Sequence, residues 1–356
     1  MTKAIGVVGT AKNTGKTTTL VALVRAIHER GDKTVAVTSI GYDGELVDSL
    51  TFLPKPRIEL PVGALVATAE RCLENARLKG DVLGRTGIET PLGEVLLLRV
   101  TTTGRIVVAG PNQRTGLETV RRALAEAGAN WILVDGALGR MAPMSAVDGI
   151  VISTGAARTT DLNQLAEETK ALHAVLSLPQ FTDIGPEFPS QPTNIMICGR
   201  DNRWIDTGIA TLLDPDQAIM VLEQMPAESR AIVFPGLVMT PALQFMQQQL
   251  QEHLSEMHFT ATNPLVLLLG GEPANVHSTL KAILEQDAGI GVLQPLPLLA
   301  VTINPFYPRR HRAGAFASAY IDKDALREKI SAAVPIPVVD VVTDGAKPVL
   351  SAIELS

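Results

Sequence analysis

A chain of 356 residues with 46% hydrophobic and 19% charged side chains holds enough apolar material for two domains of roughly 150 residues each, and too much for a disordered polymer. With 31 Lys+Arg against 37 Asp+Glu the net charge is −6, so nothing general draws it to phosphate backbones and nucleic-acid binding is disfavoured. Cys72 and Cys198 form no Cys-x-x-Cys pair, no apolar run reaches a membrane-spanning ~20 residues, and the first residues lack a signal-peptide pattern, so the expectation is a cytoplasmic protein with neither disulfides nor a membrane anchor.

The first predicted element is a strand over Ala4–Val8, followed by the loop Gly9-Thr10-Ala11-Lys12-Asn13-Thr14-Gly15 and by Lys16-Thr17-Thr18 at the head of a segment with helical period. That is the context of a phosphate-binding P-loop. Consecutive loop N–H groups and the unpaired N–H groups of a new helix point at one spot, where the helix dipole adds partial positive charge. Polyphosphate fits such a spot. The residues expected to hold it are Gly9, Thr10, Lys12, Asn13, Thr14, Gly15, Lys16, Thr17 and Thr18, with Lys16 on the β/γ-phosphates and the Thr17 hydroxyl on Mg²⁺. The expected ligands are ATP or GTP with Mg²⁺, ATP being favoured because no Asn-Lys-x-Asp tetrapeptide for reading guanine occurs. Gly9 and Gly15 enclose five residues where the common pattern has four, with Thr10 at the usual first-glycine position.

The helix is expected to end near Arg30-Gly31, with a second strand at Thr34–Ser39 completing a βαβ unit. Beyond it Asp43 either holds the metal region of the site or serves as a turn aspartate before Gly44. Three prolines make 52–62 an extended covering loop, Ala64–Ala76 reads as a helix with a charged face, and 86–109 reads as a β-rich excursion. Asn112 precedes a helix over about Gly116–Ala127 as a cap, a turn residue or a site residue. Trp131–Val134 is a buried strand delivering Asp135, the Walker B arrangement that places a carboxylate near Mg²⁺. A strand over Asp148–Ser153, a small-residue loop carrying Arg158 and a helix from Asp161 to about Leu176 follow. The catalytic set expected is therefore Lys16, Asp43 and Asp135, with Thr17, Asp43 and Asp135 around the metal.

Four prolines in 178–192 read as a boundary, which divides the chain into a nucleotide-binding domain over 1–178 and a second α/β domain over 193–356 for a partner or substrate. Strands are expected at 194–198, 231–234, 265–269, 299–303 and 337–342, and helices at 240–256 and 275–285. The corners 234–241 and 269–273 are either ligand sites or plain turns, and the basic cluster Arg309, Arg310, His311 and Arg312 either meets an anion or is solvated. The six histidines have no metal-ligand spacing. The fold class expected is α/β, with a mostly parallel, P-loop NTPase-type sheet flanked by helices ahead of the second domain.

The Gly-Thr-x-x-x-x-Gly-Lys-Thr spacing resembles dethiobiotin synthetases and their relatives among P-loop ATPases. Many dimeric members of that class carry a second lysine five residues before the P-loop lysine, a position occupied here by Ala11, with Lys12 one residue later. A homodimer therefore stays open. Together with Thr38–Glu45, Val134–Leu138 and Asn304–Pro308, the loop looks like the ATPase-type reactivating subunit encoded alongside adenosylcobalamin-dependent lysine 5,6-aminomutase and ornithine 4,5-aminomutase. That resemblance implies ATP-driven reactivation of such an aminomutase, in company with a second reactivating subunit. The alternatives are an ATP-dependent carbon–nitrogen ligase of the dethiobiotin-synthetase kind, a GTP-dependent metallochaperone, or a nucleotide-binding module with negligible turnover.

Overall fold

The computed structural model describes residues 2–41, 57–185, 187–310 and 316–355. They divide into two compact units, Met1–Ala166 with Leu298–Ser356, and Glu167–Pro297. In chain order the first unit contains β1 (Lys3–Gly9), α1 (Lys16–Arg30), β2 (Val35–Ser39), β3 (Ile58–Leu60), β4 (Leu65–Ala69), the short α2 (Arg71–Glu74), β5 (Lys79–Thr90), β6 (Gly93–Thr102), β7 (Gly104–Ile106), α3 (Arg114–Glu126), β8 (Trp131–Ala137) and β9 (Gly149–Gly155). The helix α4 (Leu162–Leu176) runs from it into the second unit.

The second unit holds β10 (Met196–Gly199), β11 (Trp204–Asp206), α5 (Pro215–Glu223), β12 (Ser229–Phe234), α6 (Thr240–Leu250), β13 (His258–Ala261), α7 (Leu265–Leu268), α8 (Pro273–Leu284) and β14 (Gly289–Val292). Its sheet runs β11-β10-β12-β13-β14, with β12, β13 and β14 parallel and the other two neighbours antiparallel. The two corners flagged in the sequence hydrogen-bond to each other here, the Thr240 amide donating to the Gly270 carbonyl at 3.0 Å, and the Val238 amide donates to the Val266 carbonyl of α7 at 3.1 Å. They serve as packed turns.

The chain then returns to the first unit with β15 (Leu298–Asn304), the ribbon β16 (Phe306–Arg310) and β17 (Phe316–Tyr320), α9 (Lys323–Ser331), β18 (Val338–Val339) and α10 (Lys347–Leu355). This return differs from the expected division at 178–192. The cause is pairing: β15 lies parallel to β9, with Val301 opposite Ile152, and β18 lies parallel to β15. A proline-rich stretch marks a loop, whereas unit membership is decided by which strand supplies the missing ladder partners.

Among the described residues the main sheet has the order β18-β15-β9-β1-β8-β2-β4-β6-β5, parallel from β18 through β4 and antiparallel at the β4–β6–β5 end. This is an α/β architecture with a large, mostly parallel sheet. Strands covered on both faces read as unbroken apolar runs, which is why β1 and β2 are legible in sequence. The same physics explains two departures. All five residues of Leu65–Ala69 are buried, so β4 is a strand where a helix was expected; the charges Glu70, Arg71 and Glu74 follow it in and around α2. Leu265–Leu268, expected as a strand, is a helical turn buried on all sides, entered through Pro264 with the Asn263 side chain accepting from the Leu265 amide at 3.1 Å. Short, fully buried runs carry no period to tell the two apart.

One topological detail positions the site. The strands β1 and β2 that flank α1 are not neighbours, because β8 lies between them, with Asp135 in register with Val7 on one side and Ser39 on the other. The C-terminal ends of β15, β9, β1, β8 and β2 therefore share one edge of the sheet.

Candidate nucleotide site

At that edge the chain leaves β1 at Gly9 and turns into α1 through a loop with two left-handed residues, Asn13 at φ 65° and Gly15 at φ 91°. Left-handed backbone costs a non-glycine residue roughly 1–2 kcal/mol, so this shape needs contacts to hold it. Three contacts hold it. The Thr10 amide donates to the Ser153 carbonyl at 3.0 Å, the Thr14 hydroxyl donates to the Ala11 carbonyl at 2.9 Å, and Asn304 Nδ2 donates to the Asn13 carbonyl at 2.9 Å. At Gly15 even a methyl group would sit 3.3 Å from Asn304 Cβ. Glycine is required there for both its dihedral and its clearance.

Beyond Gly15, α1 starts with Lys16 and has no acidic residue in its first turn, so its unpaired amide groups and dipole face the cleft uncompensated by a carboxylate of its own. The helix buries Leu20, Leu23, Val24 and Ile27 against the sheet and stops at Gly31, which adopts φ 72°. Both the N-terminal loop and the C-terminal glycine fall where the sequence puts them.

Residues 9–18 line an open cleft of about 520 Å³ together with Ser39, Ile40, Gly41 and Asp135. Every predicted loop residue is thus brought to one place, along with Asp135. Lys16 Nζ donates to Asp135 Oδ2 at 3.1 Å, with 25% and 18% of the two side chains exposed. Lys12, Asn13 and Thr18 are exposed, Lys16 and Thr17 half-buried and Thr14 buried. Asp43 lies outside the described residues, as do His311 and Arg312 of the basic cluster. Asn112 and Arg158 are not among the residues lining the cleft, and α3 is entered through Gln113 without a side-chain cap.

The sequence reading missed Asn304 as a site residue. It ends β15, and its carbonyl accepts from the Ala156 amide at 3.0 Å while its Oδ1 accepts from the Phe306 amide at 3.1 Å. Its signal is an asparagine before proline at the close of an apolar run, a pattern shared by many strand ends. A second cavity of about 270 Å³ opens past Gly15, lined by Thr14, Thr18, Asn304, Phe306, Tyr320 and Asp340 among others. Phe306 and Asn304 border both cavities.

Under the loop, Thr19 of α1, Ser153 of β9 and Thr302 of β15 form a buried hydroxyl triangle with Oγ–Oγ distances of 2.8, 2.8 and 3.3 Å. Each hydroxyl both satisfies and is satisfied by its neighbours, so the polar cluster costs little to bury and fixes α1 against two strands. The far wall of the cleft differs in character: Ile58, Val107, Val108 and Leu138 are apolar, and Arg140 packs with its Nη1 3.7 Å from where a Gly41 Cβ would be.

No group of three or more His, Cys, Asp or Glu side chains suited to a metal occurs among the described residues. A magnesium ion brought in on phosphate oxygens needs no such cage, since one carboxylate, a hydroxyl and waters complete its shell, and Asp135 with Thr17 on the same cleft fit that requirement. No helix among the described residues is long and apolar enough to cross a membrane. No family model matches this chain, and no curated protein and no solved structure matches it.

Proposed function

We propose that the protein binds and hydrolyses a nucleoside triphosphate with Mg²⁺ at the Gly9–Thr18 loop. The observation that carries this reading is the convergence on one cleft of the left-handed Asn13–Gly15 turn, the bare N-terminus of α1, Lys16 and Asp135. In that arrangement the loop and helix amides cradle the β- and γ-phosphates, Lys16 neutralises their charge, and Thr17 and Asp135 hold the magnesium or its water shell. The ion would supply charge neutralisation across the phosphates. The nucleoside would extend over Gly15 into the second cavity, where Phe306 and Tyr320 offer aromatic surface and Asn304 and Asp340 offer polar atoms for a base. ATP is the favoured nucleotide because the guanine-reading tetrapeptide is lacking.

On the resemblance described above, the hydrolysis cycle serves to reactivate an adenosylcobalamin-dependent amino acid aminomutase, with the second unit, residues 167–297, available for protein contacts. Nucleotide acts there by its differential affinity for two arrangements of the protein. A ligase reading is favoured by one observation, the apolar wall beside Arg140, which suits a small carboxylate with an apolar body next to the phosphate position.

Steady-state ATP and GTP hydrolysis separates these readings. Stimulation by an aminomutase with its companion subunit supports reactivation, and stimulation by small carboxylates alone supports the ligase. Absence of nucleotide binding overturns both.

A further inference from the structure

We infer that the outward stripe of α5, in the second unit, docks a basic, apolar-striped helix of a partner protein. The inference goes beyond the nucleotide reading and does not depend on it, since no residue of the cleft takes part. Helix α5 is entered through Asp214, whose Oδ1 accepts from the Gln217 amide at 2.9 Å, and it buries Ala218 and Val221. Its other face carries Asp216, Ile219, Met220 and Glu223, the i, i+3, i+4, i+7 spacing of one helical stripe, and all four are exposed. A helix face that meets only water is ordinarily polar. Here Ile219 and Met220 are 42% and 52% exposed, and Leu213, just ahead of the cap, is 45% exposed. Three of the ten large apolar side chains exposed among the described residues thus fall within the eight positions from Leu213 to Met220, a cluster rather than the scatter of an ordinary surface.

Charge decides what covers the cluster. From Trp204 to Ser229 the chain carries Asp206, Asp214, Asp216, Glu223 and Glu228 and no Lys, Arg or His. Asp216 and Glu223 bracket the apolar pair and have no ion-pair partner among the described residues. Helix α6, which packs against α5, has no charged residue to neutralise them. Nucleic acid and anionic lipid surfaces are repelled by such a face. A second copy docked about a two-fold axis would set these carboxylates against their own counterparts. A partner helix with apolar residues at the same period, flanked by Lys or Arg, satisfies both the stripe and its acidic rim, and the flexible Met220 side chain lets the stripe adapt to it.

Fluorescence anisotropy with the full-length protein tests this. The probe is a labelled synthetic helix of about five turns with a leucine stripe on a lysine background, compared with the same helix carrying glutamate for lysine. The lysine helix should bind the wild type saturably and the glutamate helix should not. Ile219→Gln with Met220→Gln should weaken the lysine helix about tenfold, and Asp216→Asn with Glu223→Gln should weaken it similarly while flattening its salt dependence. Leu284→Gln, at an exposed apolar position on α8, should leave the affinity unchanged. No saturable binding by the wild type, or equal affinity in every variant, overturns the docking site. Loss on removing the acids but not the apolar pair reduces the face to general charge attraction and overturns it too, as does an equal loss in Leu284→Gln. In sedimentation velocity, a wild-type dimer that Ile219→Gln with Met220→Gln dissociates would give the face to a second copy and overturn the partner. All the substituted side chains are exposed, so the variants should keep the wild-type unfolding midpoint.

Discussion

Asn304 Nδ2 donates to the carbonyl of Asn13 at 2.9 Å, across 291 positions of sequence. That bond ties the end of β15 to the left-handed turn of the loop, and Gly15 packs on the same asparagine. The end of β15 is therefore a structural part of the loop, although it follows the whole second unit in the chain.

Asn304→Ala should remove that tie while leaving the sheet paired, because its backbone bonds do not use the side chain. Of the two side-chain hydrogen bonds lost, to the Asn13 carbonyl and from the Phe306 amide, the one to the loop, of about 1 kcal/mol, should weaken magnesium–ATP binding roughly threefold to tenfold. Calorimetric titration checks it, and an unchanged affinity would show that the loop keeps its shape without Asn304.

Gly15→Ala should do more harm. The residue sits at φ 91°, and the added methyl meets Asn304 Cβ at 3.3 Å. A cost of about 1–2 kcal/mol in denaturant unfolding is expected from the dihedral alone, with nucleotide binding lost in parallel.

Thr302→Val should open the buried hydroxyl triangle and leave Ser153 and Thr19 short of one partner. Stability should fall by about 1–3 kcal/mol, seen as a lower denaturant midpoint at unchanged slope. Thr302→Ser, which restores the hydroxyl, should recover a large part of that loss.

A pH effect is expected from His258, which stacks on Phe181 with ring centroids 4.0 Å apart and meets Thr260 through Nδ1 at 2.9 Å. Burial lowers its pKa, and the nearby Asp183 offsets only part of that. Above pH of about 6.5 the ring is neutral in folded and unfolded chains alike. As pH falls through that value the unfolded chain takes up the proton first, so stability should decline until the folded ring also titrates. His173 and His277, also lowered by burial, act in the same direction. His258→Gln should flatten the slope of unfolding free energy between neutral and mildly acidic pH; an identical slope would remove His258 from the account.

The sequence makes the first part of the site legible because local rules govern it. A strand, a Gly-bounded loop and Lys-Thr opening a helix are contiguous, and their geometry follows from neighbours a few residues away. Asp135 was readable for a related reason, as a carboxylate at the end of an unbroken apolar run. Asn304 was not, since its role exists only once β15 pairs with β9, and pairing over such a separation leaves no local mark. The same limit hid the discontinuous first unit. It also led Leu65–Ala69 and Leu265–Leu268 to be exchanged between strand and helix, because full burial erases the periodicity by which the two are distinguished. The second unit's alternation of strand and helix gives its class but no chemistry.

The most direct measurement is calorimetric titration of magnesium–ATP into the wild type and into Lys16→Ala. The proposed site predicts saturable binding by the wild type and a roughly hundredfold loss on removal of the charged contact. Equal affinity in the two proteins, or no binding by either, would contradict the assignment of a nucleotide to this loop.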